Sequence, residues 1–158
     1  MYFIKNYEMK GFFFFLACAC CLLGCEGNSS YPDEMVRERA TAFAGAYFNY
    51  DFTSARKLVT EESVKWLEFA ASNVTQEDVD LYNSVEEPAT VEIDDYQYVN
   101  DTISIVTVLV ENYLQKDSIN RTATISDQGI FRLTLVLRDG KYYVRMEGPL
   151  RSERQSRD

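Results

Sequence analysis

Residues 43–67, FAGAYFNYDFTSARKLVTEESVKWL, carry apolar side chains at three- and four-residue spacing, and the run is interrupted at Asp51 and Thr60. Both interrupting residues have side chains suited to cap a helix start. The stretch therefore predicts the end of one helix followed by two shorter ones. Upstream, Pro32 and Asp33 suit a helix start, and Val36, Ala40, Phe43, Ala44, Tyr47 and Phe48 form one apolar stripe on a long amphipathic helix. Asp51 is expected to cap a short helix on which Phe52, Ala55, Leu58 and Val59 share a face. Thr60 is expected to cap a third, with Val64, Leu67 and Ala71 aligned and Trp66 and Ala70 widening the buried side. Thr75 followed by Asp78 is a loose capping box that opens a further turn of helix through about Tyr82.

After Pro88 the apolar period changes from that of a helix to that of a strand. Val91–Val99 is a strand whose parity shifts: Val91 and Ile93 lie on one face and Tyr96 and Tyr98 on the other, so a bulge at Asp94-Asp95 is expected. Thr102–Leu114 is a long strand with apolar residues on both faces of its middle, which predicts cover on both sides. Residues 115–128 are too polar for core and read as a loop or edge ribbon. From Phe131 to Leu137 apolar residues alternate with polar ones, and Asp139-Gly140 is a hairpin signal returning the chain into Lys141–Met146. Helices ahead of strands indicate an α+β fold, with three to four N-terminal helices packed on one face of a curved, mainly antiparallel sheet.

The chain has 158 residues, enough for one domain with a sizeable core, and carries a net charge of −9. An acidic surface without a basic stripe argues against nucleic-acid binding. Histidine is absent, which removes the commonest metal ligand and the readiest proton carrier near neutral pH; no cofactor or metal is expected. All four cysteines, Cys18, Cys20, Cys21 and Cys25, fall in the leader-like segment FFFFLACACCLLGCEGNSS, residues 12–30. Metal and disulfide readings both require folded partners for these thiols, and the neighbourhood offers none. Lys5 and Lys10 precede a 14-residue apolar run from Gly11 to Gly24, the layout of an export signal and too short to span a bilayer as a helix. Ala17-Cys18-Ala19 offers an ordinary signal-peptidase site, as in a plain secreted leader, but leaves an apolar core of only six residues. Leu22-Leu23-Gly24-Cys25 resembles the bacterial lipobox and uses the whole run. On that reading residues 1–24 are a signal peptide, Cys25 is lipidated, residues 25–31 are a tether, 32–147 a domain and 148–158 a polar tail. The mature charge is then −10, since two of 16 basic and one of 25 acidic residues leave with the leader.

The phrase NYDFTSARKLV (49–59) between the first helices, with LRDGKYYVRM (137–146) at the end of the strands, resembles the nuclear transport factor 2-like, or cystatin-like, cone found in small bacterial lipoproteins of uncharacterised function. The resemblance implies a cavity between curved sheet and helices, used by some family members for isomerisation or dehydration and by others for ligands, or buried in a dimer. Tyr47, Trp66, Asp94 and Tyr96 are the residues of this chain that such a cavity would engage. Neither motif is catalytic, and Asp94 and Asp95, as strand neighbours, point to opposite faces unless a bulge turns one. The expectation is a lipid-anchored protein of a bacterial cell envelope, the outer membrane in the first instance. Its cone binds a small apolar ligand or a protein partner without catalysis. An isomerase- or dehydratase-like enzyme and a structural component of an envelope complex are the alternatives.

Eleven tyrosines favour binding surfaces, and a homodimer through the sheet is the partner that the resemblance implies. Asp101-Thr102-Ile103 and Asp117-Ser118-Ile119 resemble the O-glycosylation signal of Bacteroidetes envelope proteins. Asn28, Asn73, Asn100 and Asn120 head Asn-x-Ser/Thr sequons that matter only in a eukaryote.

Overall fold

Pro32 opens the first helix, α1 (Pro32–Phe48), where its missing N–H costs nothing, and Asp33 and Glu34 sit at the positive end of the helix dipole. Val36, Ala40, Phe43 and Ala44 are fully buried, so the stripe expected from their spacing is the face that meets the sheet. Three helices follow: α2 (Phe52–Arg56), α3 (Val64–Ser72) and α4 (Gln76–Ser84), with a 3-10 turn at Glu61–Ser63 leading into α3. Four strands complete the domain: β1 (Thr90–Asn100), β2 (Ile103–Gln115), β3 (Thr124–Arg138) and β4 (Lys141–Arg145). They form one antiparallel sheet in the order β1-β2-β3-β4, and α1 lies across all four. The fold is the expected α+β arrangement. The computed structural model describes residues 32–116 and 121–153. Cys25 with its leader and tether, and the triplet Asp117–Ile119, lie outside the described residues.

The core is the space between α1 and the inner face of the sheet. Val106, Val108 and Val110 of β2 meet Phe131, Leu133 and Leu135 of β3 and Val144 of β4, all buried. β1 keeps its inner residues Val91, Ile93 and Tyr96 in register by inserting one extra residue: Ile93 pairs with Val108 and Asp95 with Thr107, which leaves Asp94 as the bulge. Asp139 and Gly140 both take positive φ, 50° and 74°, as a two-residue hairpin loop requires.

Three differences from the sequence reading have local causes. Leu58 and Val59 leave α2 rather than extending it, because the free edge of β4 needs partners: the Val144 N–H donates to Leu58 O (2.8 Å), and the Thr60 N–H donates to Val144 O (2.9 Å). Thr60 does not cap α3 through its side chain; its hydroxyl bonds Ser63 Oγ (2.7 Å), which in turn accepts the Met146 N–H (2.8 Å). β3 begins at Thr124, so Gln115 and residues 124–128 of the polar 115–128 segment are strand of the β2–β3 hairpin rather than loop. Outer-face residues Ile105, Leu109, Ile130 and Val136 are half-buried rather than covered. Residues 149–153, read in the sequence as part of a polar tail, lie against the domain. Leu150 joins the core, Ser152 is buried, and the Glu153 N–H donates to Ile130 O (2.9 Å).

The Asn49 side chain makes the most bonds of those that tie the helical half to the start of the sheet. Asn49, just past α1, donates through Nδ2 to Gly45 O (2.9 Å) and Ala89 O (3.0 Å), and its Oδ1 accepts from the Ala89 N–H (3.0 Å) and the Tyr82 hydroxyl (3.3 Å). Ala89 is buried just before edge strand β1, so the amide serves both of its backbone groups where no strand does. A stranded buried group costs about 1–3 kcal/mol, so Asn49→Ala is expected to cost roughly 3 kcal/mol. In urea the unfolding midpoint should fall by about 1.5 M; an unchanged midpoint would show that the amide is dispensable.

Candidate functional site

A cleft of about 690 Å³ opens between the C-terminal end of α1, α3, the C-terminal end of β2, Phe131 in the middle of β3, and residues 149–151. Its floor is a trio of rings, with Phe48 4.5 Å from Phe131, Tyr113 5.3 Å from Phe131, and Phe48 5.5 Å from Tyr113, centroid to centroid. Tyr113 reaches this place by lying across Gly129 of β3. A Cβ on Gly129 would stand 2.5 Å from the Tyr113 hydroxyl oxygen, so glycine is the residue that admits the ring. Tyr113 is inward-facing because the buried parity of β2 shifts at Asn112, which takes a left-handed φ of 53°. Tyr47, Tyr50, Phe52 and Trp66 form the walls, and Phe69, 41% exposed, stands at the rim.

Tyr50 occupies its place at a conformational cost. The Tyr50 N–H donates to Tyr47 O (3.2 Å) and the Asp51 N–H to Ala46 O (2.9 Å), the paired bonds of a Schellman helix end. The residue at this position turns left-handed and is usually glycine; here it is Tyr50, at φ 60°. Asp51 follows at once as the cap of α2, accepting from the Ser54 N–H (3.0 Å). The Tyr50 ring is held between Phe52 (5.9 Å, stacked) and Tyr82 (5.6 Å). Burial, the charge of Asp78 and neighbouring Tyr47 push its hydroxyl up to about 12. The Tyr47 hydroxyl, also raised by burial, is hydrogen-bonded to the backbone of Leu150, which fixes the C-terminal segment as a wall.

Behind the cleft lies a buried carboxylate. Asp78 Oδ2 accepts the Thr75 N–H (2.8 Å) while Thr75 Oγ1 accepts the Asp78 N–H (3.3 Å), a complete capping box at the start of α4. Asp78 Oδ1 also accepts the Ala123 N–H (2.8 Å), and Lys116 Nζ donates to Oδ2 and to Asn73 O (2.7 Å). One carboxylate thus fixes both ends of the β2–β3 connection to α4. Burial raises its pKa, but the bonds from Lys116, Thr75 and Ala123 outweigh that and hold it far below the usual carboxylate range.

The four residues expected to engage a cavity separate into two pairs. Tyr47 and Trp66 line the cleft. Asp94 is exposed at the β1 bulge, and Tyr96 lies near the other end of α1, with the Arg37 guanidinium 4.5 Å from its ring centre and Tyr98 edge-on at 6.0 Å. Tyr98 there donates to Asp33 Oδ1 (2.6 Å), which ties the start of α1 to β1. A shallow groove of about 770 Å³ beside Asp33, Arg37 and Thr41 borders only α1 and encloses nothing. Tyr50, Lys116 and Arg151 line the cleft without having been singled out in the sequence. Among the described residues no cluster of three or more acidic, histidine or cysteine side chains is placed to hold a metal ion.

No family model matches the chain, and neither does any curated protein. Among solved structures it is similar to an NTF-2 like protein of unknown function from Shewanella oneidensis MR-1, at 11% identity, with 72% of this chain and 94% of that chain covered and a TM-score of 0.50. That likeness shows the fold, an NTF-2-like α+β cone.

The Asp78 geometry gives a pH signature. Its folded pKa lies below the unfolded value of about 3.9, so its stabilisation is complete above that value and is lost as pH falls towards the folded pKa. Removing one partner of such a buried pair costs about 3–5 kcal/mol. The stability gap between wild type and Asp78→Asn, measured by urea unfolding, should be widest near pH 6–7 and narrow below about pH 4; a gap independent of pH would contradict the assignment.

Proposed function

We propose that the protein is a cell-envelope lipoprotein whose cleft binds a small, largely apolar molecule without transforming it. The observation that carries this reading is the cleft itself: about 690 Å³, within the usual range for small-molecule sites, walled by aromatic rings, with no carboxylate lining it among the described residues. An isomerase- or dehydratase-like reaction needs a group that takes up a proton near neutral pH. The chain has no histidine, and Tyr47 and Tyr50 are pushed up rather than down by burial, which makes them poor bases. Asp78, the nearby carboxylate, is committed to Lys116, Thr75 and Ala123. A binding role is the simpler use of such a site. Association of two copies across the half-buried sheet face belongs to the same proposal, supported by Ile105, Leu109, Ile130 and Val136 on that face.

Native mass spectrometry of the protein purified from its own cells should detect a bound species of a few hundred daltons. The cleft-filling change Ala70→Trp should remove it with little change in melting temperature. A bare wild-type mass, or a bound species that survives the substitution, would contradict the proposal. The lipid anchor has a separate test. Metabolic labelling with a palmitate analogue should mark the wild type and not Cys25→Ala, whereas equal labelling would refute lipidation at that cysteine.

A further inference from the structure

The cleft has an uneven charge. In a chain of net charge −9, none of the 17 lining residues among the described residues is acidic and two, Lys116 and Arg151, are basic. They differ in kind. Lys116 is mostly buried, with 17% of its side chain exposed, and its ammonium is oriented by Asp78 and by Asn73 O, so two of its three donors are used and its charge is balanced. It is a fixed donor rather than a free charge. Arg151 is exposed and makes no ion pair among the described residues. Its backbone is nonetheless held on both sides: Leu150 is bonded to the Tyr47 hydroxyl, Ser152 is buried, and Glu153 is joined to Ile130 O and paired with Arg132. A guanidinium without an ion pair among the described residues, on fixed backbone at the border of a cleft floored by buried rings, is suited to an oxyanion.

We infer that the ligand is an anionic amphiphile, with its apolar body on the ring floor of Phe48, Tyr113 and Phe131 and its carboxylate, sulfonate or phosphate group at Arg151, with Lys116 as second donor. This deepens the binding reading above and rests on it. A neutral ligand would strip part of the hydration of the Arg151 guanidinium without replacing it, a cost that an oxyanion removes.

Two fluorescent probes sharing one ring framework separate the charge from the rings: 1-anilinonaphthalene-8-sulfonate and neutral N-phenyl-1-naphthylamine. Titrated into the purified protein, the sulfonate should bind about tenfold more tightly, the effect of one charge-assisted hydrogen bond. Arg151→Gln, a change at an exposed residue without an ion pair, should abolish most of that preference and leave the affinity for the neutral probe within about twofold. Ala70→Trp should remove both probes, which excludes adsorption elsewhere. Equal affinities in the wild type, a preference that survives Arg151→Gln, or sulfonate binding that survives Ala70→Trp would overturn the inference. Failure of both probes to bind the wild type would instead overturn the ligand-binding reading on which it rests.

Discussion

The structure depends on one amide, Asn49, which joins the end of α1 to the residue just before the sheet across 40 positions of sequence. Ala89 is buried just before edge strand β1, outside its pairing, so its N–H and C=O must find partners or destabilise the domain. Asn49 supplies both partners and so fixes where α1 stops. From that point the rest follows: the chain must turn at Tyr50, Asp51 restarts it as α2, and the segment after α2 runs on to edge strand β4. The cleft lies beside that turn, between the end of α1, α3 and the end of β2.

A space of this kind lined by apolar rings would collapse if its walls were free to move, since packed interiors leave few voids. Here the walls are held by polar ties placed behind them. The Asp78 carboxylate fixes Lys116 and Ala123, and the Tyr47 hydroxyl fixes Leu150. The left-handed Tyr50 is a further sign of constraint, because a bulky residue keeps such a backbone only where its surroundings over-determine it. Strain of this sort concentrates at sites that do something.

Much of the fold was legible because periodicity reports burial directly. The α1 stripe, the parity shift that locates the Asp94 bulge and the Asp139-Gly140 hairpin are each local patterns with one geometric solution. Leu58 and Val59 misled because apolar spacing cannot reveal that an edge strand elsewhere needs a partner. The first half of β3 was hidden because residues 124–128 are mostly polar and exposed, with Ile125 the one apolar side chain among them. Of the four residues singled out in the sequence, Tyr47 and Trp66 line the cleft, since aromatic residues on the helices beside the sheet have few other places to go. Lys116 and Arg151 were not singled out, because what brings them to the cleft is contact between segments far apart, such as the Asp78–Lys116 pair, 38 residues apart. Tyr50 did leave a signal. An aromatic residue squeezed between the end of one helical run and the cap of the next must occupy the left-handed turn.

The claim that organises all of this is that the cleft is a held-open ligand site rather than a gap in packing. A high-resolution crystal structure of the protein purified from its own cells tests it most directly. The account predicts connected density of a small molecule over Phe48, Tyr113 and Phe131, ending near Arg151, with Tyr50 still left-handed. A cleft closed by the rings of Tyr47 and Trp66 swung onto that floor, with no room for a ligand, would contradict it.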